Sequence, residues 1–222
     1  MSLNGSACIV GAYEHPTRKA DDLSVVRLHA DVAKGALDDA GLSKSDIDGY
    51  FCAGDAPGLG TTTVAEYLGL KLRHVDSTEC GGSAPILHVA HAAEAIAAGR
   101  CNVALITLAG RPRAQMAAAQ AAAKEGKGGR SPLALRPPDP DAPELAFELP
   151  YGPATQNLYA AVAKRHMFEF GTTSEQLAWI KVAASHHAQH NPHAMLRDVV
   201  TVDAVANSPL VSDPLHRLDC CV

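Results

Sequence analysis

Six cysteines and eleven histidines are the side chains best suited to nucleophilic or ligand chemistry in this chain. Cys80 stands apart by its neighbours. It follows Glu79, precedes Gly81, Gly82 and Ser83, and opens the Ala-rich run "APILHVAHAAEAIAAG". Glycines allow close backbone approach to a bound group, and the run after them is rich in helix formers. A thiol at the entrance to a helix meets unpaired backbone N–H groups and the positive end of the dipole. Such a setting lowers a thiol pKa, and the thiolate is the attacking species in covalent catalysis. The residues alone leave two readings open, a nucleophile or a small buried apolar side chain.

The other candidates are weaker. His186 and His190 stand at i, i+4, a ligand-like spacing, but no carboxylate or cysteine of matching geometry is near them, and no metal is expected. His88 and His91 follow Cys80 on the same helix, about 12–16 Å away along its axis. They read as a polar helix face or an interface rather than as the base for the thiol. Cys8, Cys52, Cys101, Cys220 and Cys221 form no Cys-x-x-Cys pair and sit in apolar runs, so they are expected to be buried and reduced. The basic stretch Lys124 to Arg130 reads as a solvated loop, with contact to a phosphate as the alternative. No Gly-x-Gly-x-x-Gly supports nucleotide-redox chemistry.

The elements that must position these groups follow from hydrophobic period and punctuation. Strands are expected at "ACIVGAY", "IDGYFCAG", "RHVDST" and "NVALITLAG". Helices are expected at "LSVVRLHADVAKGALDDAGL", stopped by Gly41, at "TTTVAEYLGL" with threonine caps and Gly69 at its end, and after Cys80, with Pro85 in the first turn. The order βαβαβαβ predicts an α/β fold with a parallel sheet. Cys80 then lies beyond a strand's carboxyl end, where open α/β sheets gather their sites. From Arg111 the chain becomes Ala-rich, then Gly- and Pro-rich, and reads as a surface excursion. Two helices follow, "PATQNLYAAVAKRHMFEFG" and "TSEQLAWIKVAASHHAQHN", the second closed by Pro192. "LDCCV" has the pattern of a strand just beginning.

Composition excludes several classes. The 222 residues suit one large or two small domains, and a net charge of −5 without a basic block argues against a nucleic-acid partner. The sequence has no apolar span long enough for a membrane helix and no signal-peptide pattern at its start. A cytoplasmic protein is expected.

The chain resembles the N-terminal half of a thiolase-superfamily protein, of the sterol-carrier-protein-X-like branch. Cys80-Gly81-Gly82-Ser83-Ala84 at the head of an Ala-rich helix carries the resemblance, together with "KRHMFEFGTTSEQLA", "HHAQHNPHA" and "SDPLHRLDCC". Thiolases carry asparagines ahead of the cysteine, where this chain has Ser77-Thr78-Glu79. The resemblance implies a βαβαβαβ layer at 1–110, an inserted helical loop domain at 111–216, and the start of the layer's last strand at 217–222. The second half, which supplies a catalytic histidine and a second cysteine in this family, is expected to be absent from this sequence. A complete member has five layers, α-β-α-β-α. The implied activity makes or breaks a C–C bond of an acyl-CoA through a Cys80 acyl-enzyme, with the coenzyme A thioester as substrate and no further cofactor. Two alternatives stay open: a steroid side-chain retro-aldolase working with a small oligonucleotide-fold, acyl-CoA-binding partner, and a non-catalytic chain. The resemblance also places Tyr151 and Gly152 along the acyl and pantetheine channel, with plain packing as the alternative. It implies a homodimer, paired through the short strand "RHVDST".

Overall fold

The computed structural model describes residues 3–17, 20, 22–53, 56–111, 114, 117–118, 121 and 155–220. The chain divides into two compact units, Met1–Ala117 and Ala118–Val222.

In the first unit, helix α1 (Val25–Ala40) starts at Ser24, whose hydroxyl accepts the Arg27 amide, and stops at Gly41, which takes the left-handed conformation. Strand β1 (Gly49–Cys52) is buried along its whole length. Helix α2 (Thr61–Leu68), strand β2 (His74–Asp76), helix α3 (Ala84–Ala97) and strand β3 (Ala104–Thr107) follow. The three strands form one parallel sheet in the order β2-β1-β3.

Alternation along β1 builds two cores. Tyr50 and Cys52 pack with Ala33 and Leu37 of α1 and with Val64, Ala65 and Leu68 of α2. Phe51 points the other way, against Ala92 and Ala95 of α3 and against Cys101. Helix α3 is apolar on both sides. Ala84, His88, Ala92 and Ala95 are buried, while Ile86, Val89, Ala90 and Ala97 face outward.

Three expectations are corrected. The run Ala7–Tyr13 is not a strand. It lies along α1, with Gly11 against the backbone of Ala36 and Ala40, Tyr13 over Gly35, and the Ala12 amide on the Asp39 carboxylate. A strand exists only through its ladder, and among the described residues no strand pairs with this run or with the outer edge of β3. As a result Cys8, Ile9 and Val10 are exposed rather than buried. Second, α2 is capped by Gly60 and not by a threonine hydroxyl. Third, "NVALITLAG" contributes only four strand residues.

The second unit holds α4 (Thr155–Phe170), α5 (Ser174–Ala188), α6 (Val202–Ala206) and an antiparallel hairpin of β4 (Leu210–Ser212) and β5 (Leu215–His216). A capping box of Thr173 and Gln176 opens α5. Ala178 and Val182 of α5 pack on Val205 of α6, with Val200, Val202 and Leu218 around them. Ser185 joins the two segments, donating to the Val182 carbonyl and accepting from the Val200 amide. Residues 217–220 form turns, and residues 221–222 of the expected strand start lie outside the described residues.

Candidate active site

Cys80 lies in the loop joining β2 to α3, beyond the carboxyl end of β2, and it is exposed. It precedes the first residue of α3 by a full turn, so the expected seat at the helix mouth is in fact a seat in the loop. Gly81 takes φ +72°, a left-handed conformation that favours glycine. Its amide donates to Glu79 Oε1 at 2.7 Å, and Ser83 Oγ donates to the Cys80 carbonyl at 3.4 Å.

The loop grows from a well-tied strand end. Thr61, buried at the start of α2, donates its hydroxyl to the Cys52 carbonyl at 2.9 Å and approaches the Asp76 carbonyl at 3.3 Å. The Asp76 side chain accepts from the Thr78 amide at 2.8 Å and from the Thr78 hydroxyl at 2.7 Å through one oxygen. Its other oxygen lies 2.6 Å from His91 Nδ1 of α3. Burial pushes this carboxyl up, but the Thr78 and His91 contacts outweigh it and leave it at about 2. His88, one turn earlier on α3, is buried between Phe51 and His91, with Nε2 lacking a partner.

The remaining thiols divide by burial. Cys52 and Cys101 are inside, and burial pushes both upward, away from the thiolate. Cys8 is exposed and Cys220 is half-buried. Tyr151, Gly152, Cys221 and the basic stretch Lys124 to Arg130 lie outside the described residues. His186 and His190 are exposed, and α5 ends before His190. Among the described residues no group of three or more His, Cys, Asp or Glu could hold a metal ion.

A buried polar chain went unread in the sequence. His29 Nδ1, Thr107 Oγ1 and Tyr50 Oη form two successive contacts, 2.8 and 2.7 Å long, at the sheet–α1 interface. His29 falls four residues before Ala33 and eight before Leu37, on the buried face of α1, and that spacing was the available signal. Burial holds His29 down at about 4 and pushes the Tyr50 phenol up. A cavity of about 420 Å³ between α1 and α2 is lined by Leu37, Leu42, Tyr67, Leu68 and Leu70, among others, and by no residue of the Cys80 loop.

The parallel α/β sheet carries an exposed thiol in a loop past a strand's carboxyl end, the edge at which open α/β sheets gather ligand sites. No family model matches the chain. Over 221 residues it is 27% identical to the acetyl-CoA acetyltransferase of Methanothermobacter thermautotrophicus, covering 96% of this chain and 52% of that protein. It is 32% identical over 227 residues to the 17-hydroxy-3-oxo-4-pregnene-20-carboxyl-CoA lyase of Mycobacterium tuberculosis, covering 99% and 55%. Among solved structures it matches the Ltp2-ChsH2(DUF35) aldolase with a TM-score of 0.75 and 28% identity, over 96% of this chain and 50% of that one. These relatives, with sterol carrier protein 2 of Gallus gallus (33% identical over 75 residues), make the chain similar to the thiolase superfamily. The chain spans about half the length of the first three relatives named.

Proposed function

We propose that the chain is the N-terminal part of an enzyme that makes or breaks a carbon–carbon bond in acyl-CoA thioesters, with Cys80 as the acyl-carrying nucleophile. One observation carries this reading: Cys80 is the exposed thiol on the sheet edge where such sites assemble, whereas Cys52 and Cys101 are sealed in the core. In the cleavage direction the Cys80 thiolate adds to the keto carbonyl of a 3-ketoacyl-CoA. The bond between C2 and C3 breaks, the departing carbanion takes a proton, and the acyl group stays on sulfur until a thiol accepts it. The coenzyme A thioester is substrate, and the chemistry asks for no further cofactor.

A retro-aldol reading is favoured by the lyase and aldolase names of two relatives. There the substrate would be the CoA ester of a hydroxylated side chain, and a small DUF35-type subunit would be the partner. No cysteine adduct is then required. The reduced thiols among the described residues suit a cytoplasmic setting. No helix of the described residues is long and apolar enough to cross a membrane.

Turnover by the full-length protein and its Cys80→Ala variant separates the two. Loss of condensation and thiolysis in Cys80→Ala, with an acyl group trapped on wild-type Cys80 by mass mapping, supports the acyl-enzyme. Retro-aldol cleavage that Cys80→Ala retains in full, and that needs the DUF35-type subunit, supports the second reading.

A further inference from the structure

We propose that Asp76 is a positioning residue for Cys80: it clamps the loop between β2 and α3 at Thr78 and at His91, and so fixes where the thiol stands. The proposal rests on the reading of Cys80 as nucleophile.

Asp76 is the last residue of β2, and its carboxylate bonds in two directions. One oxygen holds the first turn of the loop through both the amide and the hydroxyl of Thr78. The other reaches across to His91, in the second turn of the helix that the loop leads into. One side chain thus ties the loop's entry to the element at its exit, with Cys80 on the span between. Asp76 does not move freely itself, because Thr61 engages its carbonyl and the same hydroxyl bonds the end of β1. The carboxylate is about 20% exposed and His91 about 29%, so the contact is largely shielded from solvent. Bonds to a charged acceptor are the stronger kind. A connector held only at its ends would sample many conformations. Nucleophilic attack asks for a placement good to about 1 Å, and a misplacement of that size costs on the order of a hundredfold in rate.

The test uses the full-length protein with two readouts, amide hydrogen exchange over residues 77–83 and steady-state kinetics. In Asp76→Ala, exchange at the Thr78 amide should rise roughly tenfold or more. At the same time kcat should fall roughly tenfold or more while KM stays within about threefold. Cys52 and Cys101 should remain closed to iodoacetamide, which shows the core intact. Asp76→Asn keeps an oxygen for Thr78 and should restore most of the exchange protection, with part of kcat. If Asp76→Ala does not fold, Thr78→Val removes the hydroxyl bond of one arm and His91→Leu removes the other arm, and each should give an intermediate loss of kcat. Wild-type kcat in Asp76→Ala, or in both single-arm variants, overturns the proposal, and so does unchanged exchange at Thr78. Full turnover by Cys80→Ala overturns the nucleophile reading instead, so the two failures are told apart.

Discussion

His29 Nδ1 lies 2.8 Å from Thr107 Oγ1, joining α1 to the end of β3 where both residues are buried. Burial holds His29 at about 4 rather than the ordinary 6.5, so the folded protein keeps it neutral. The sign follows from proton uptake. As pH falls from about 6.5 towards about 4, the unfolded chain takes up a proton at this site that the folded chain refuses. The stability contributed by the neutral His29 is therefore whole above that window and lost on descending through it. Denaturant melts at pH 7.0 and 5.0 should show a smaller drop for His29→Gln than for the wild type. An equal drop would remove His29 as its source.

Thr107 is the middle member of that chain, and Thr107→Val leaves His29 Nδ1 without this partner and Tyr50 Oη with Cys52 alone. Each unsatisfied buried group costs about 1–3 kcal/mol. The Val variant should lose stability in that range or above it, while Thr107→Ser, which keeps the hydroxyl, should lose less. Urea midpoints of the two variants, compared at constant m-value, check this ordering.

Much of the first unit was legible because its signals are local. Gly41 ends α1, Gly69 ends α2 and Pro85 sits in the first turn of α3, as the residue types and spacing require. The parallel direction of the three paired strands followed from alternation with helices, whereas their order β2-β1-β3 did not. The segment Ala7–Tyr13 was misread because its apolar run satisfies a strand pattern, whereas a strand also needs a neighbouring edge, and no local pattern reports that. Cys80 was singled out as a candidate from Gly81, Gly82 and the helix behind them. Asp76 was not, since its partners Thr78 and His91 are brought together only by the fold. The expected burial of Cys8 failed along with its strand.

Two glycines offer a test of that N-terminal segment with effects of different expected size. A Cβ on Gly11 would come within 2.5 Å of the Ala36 carbonyl oxygen, which is helix backbone and cannot yield. Gly11→Ala should push the segment off α1 and cost about 1–3 kcal/mol. The atoms nearest a Cβ on Gly35 are those of the Tyr13 ring, at 2.3–2.5 Å, and Tyr13 is 46% exposed and can swing away. Inside a helix, Ala gains roughly 0.5–1 kcal/mol over Gly, so Gly35→Ala should come out near neutral. Thermal melts of the two variants side by side decide the matter, and similar losses in both would contradict this packing of the segment.

Cysteine accessibility gives an order of labelling. Cys80 and Cys8 should take up limiting iodoacetamide first, while Cys52 and Cys101 should react only on unfolding. Peptide mass mapping at successive times reads the order directly. Early label on Cys52 would contradict the closed core around β1.

Association through β2 is expected, because among the described residues it is an edge strand of its sheet. His74 donates its amide to the Asp48 carbonyl on the β1 side. Backbone groups alternate in direction along a strand, so the Val75 N–H and C=O face the open edge. The Val75 side chain is itself 50% exposed. Open edges of this kind invite another strand, and a homodimer paired through β2 satisfies both groups. Light scattering of the full-length protein at micromolar concentration should return the dimer mass. Val75→Pro removes the outward N–H without touching a bond to β1, so it should shift the protein towards monomer while Cys52 and Cys101 stay protected. A wild-type monomer would rule out the pairing, and a Val75→Pro variant that stays fully dimeric would move the interface away from this edge.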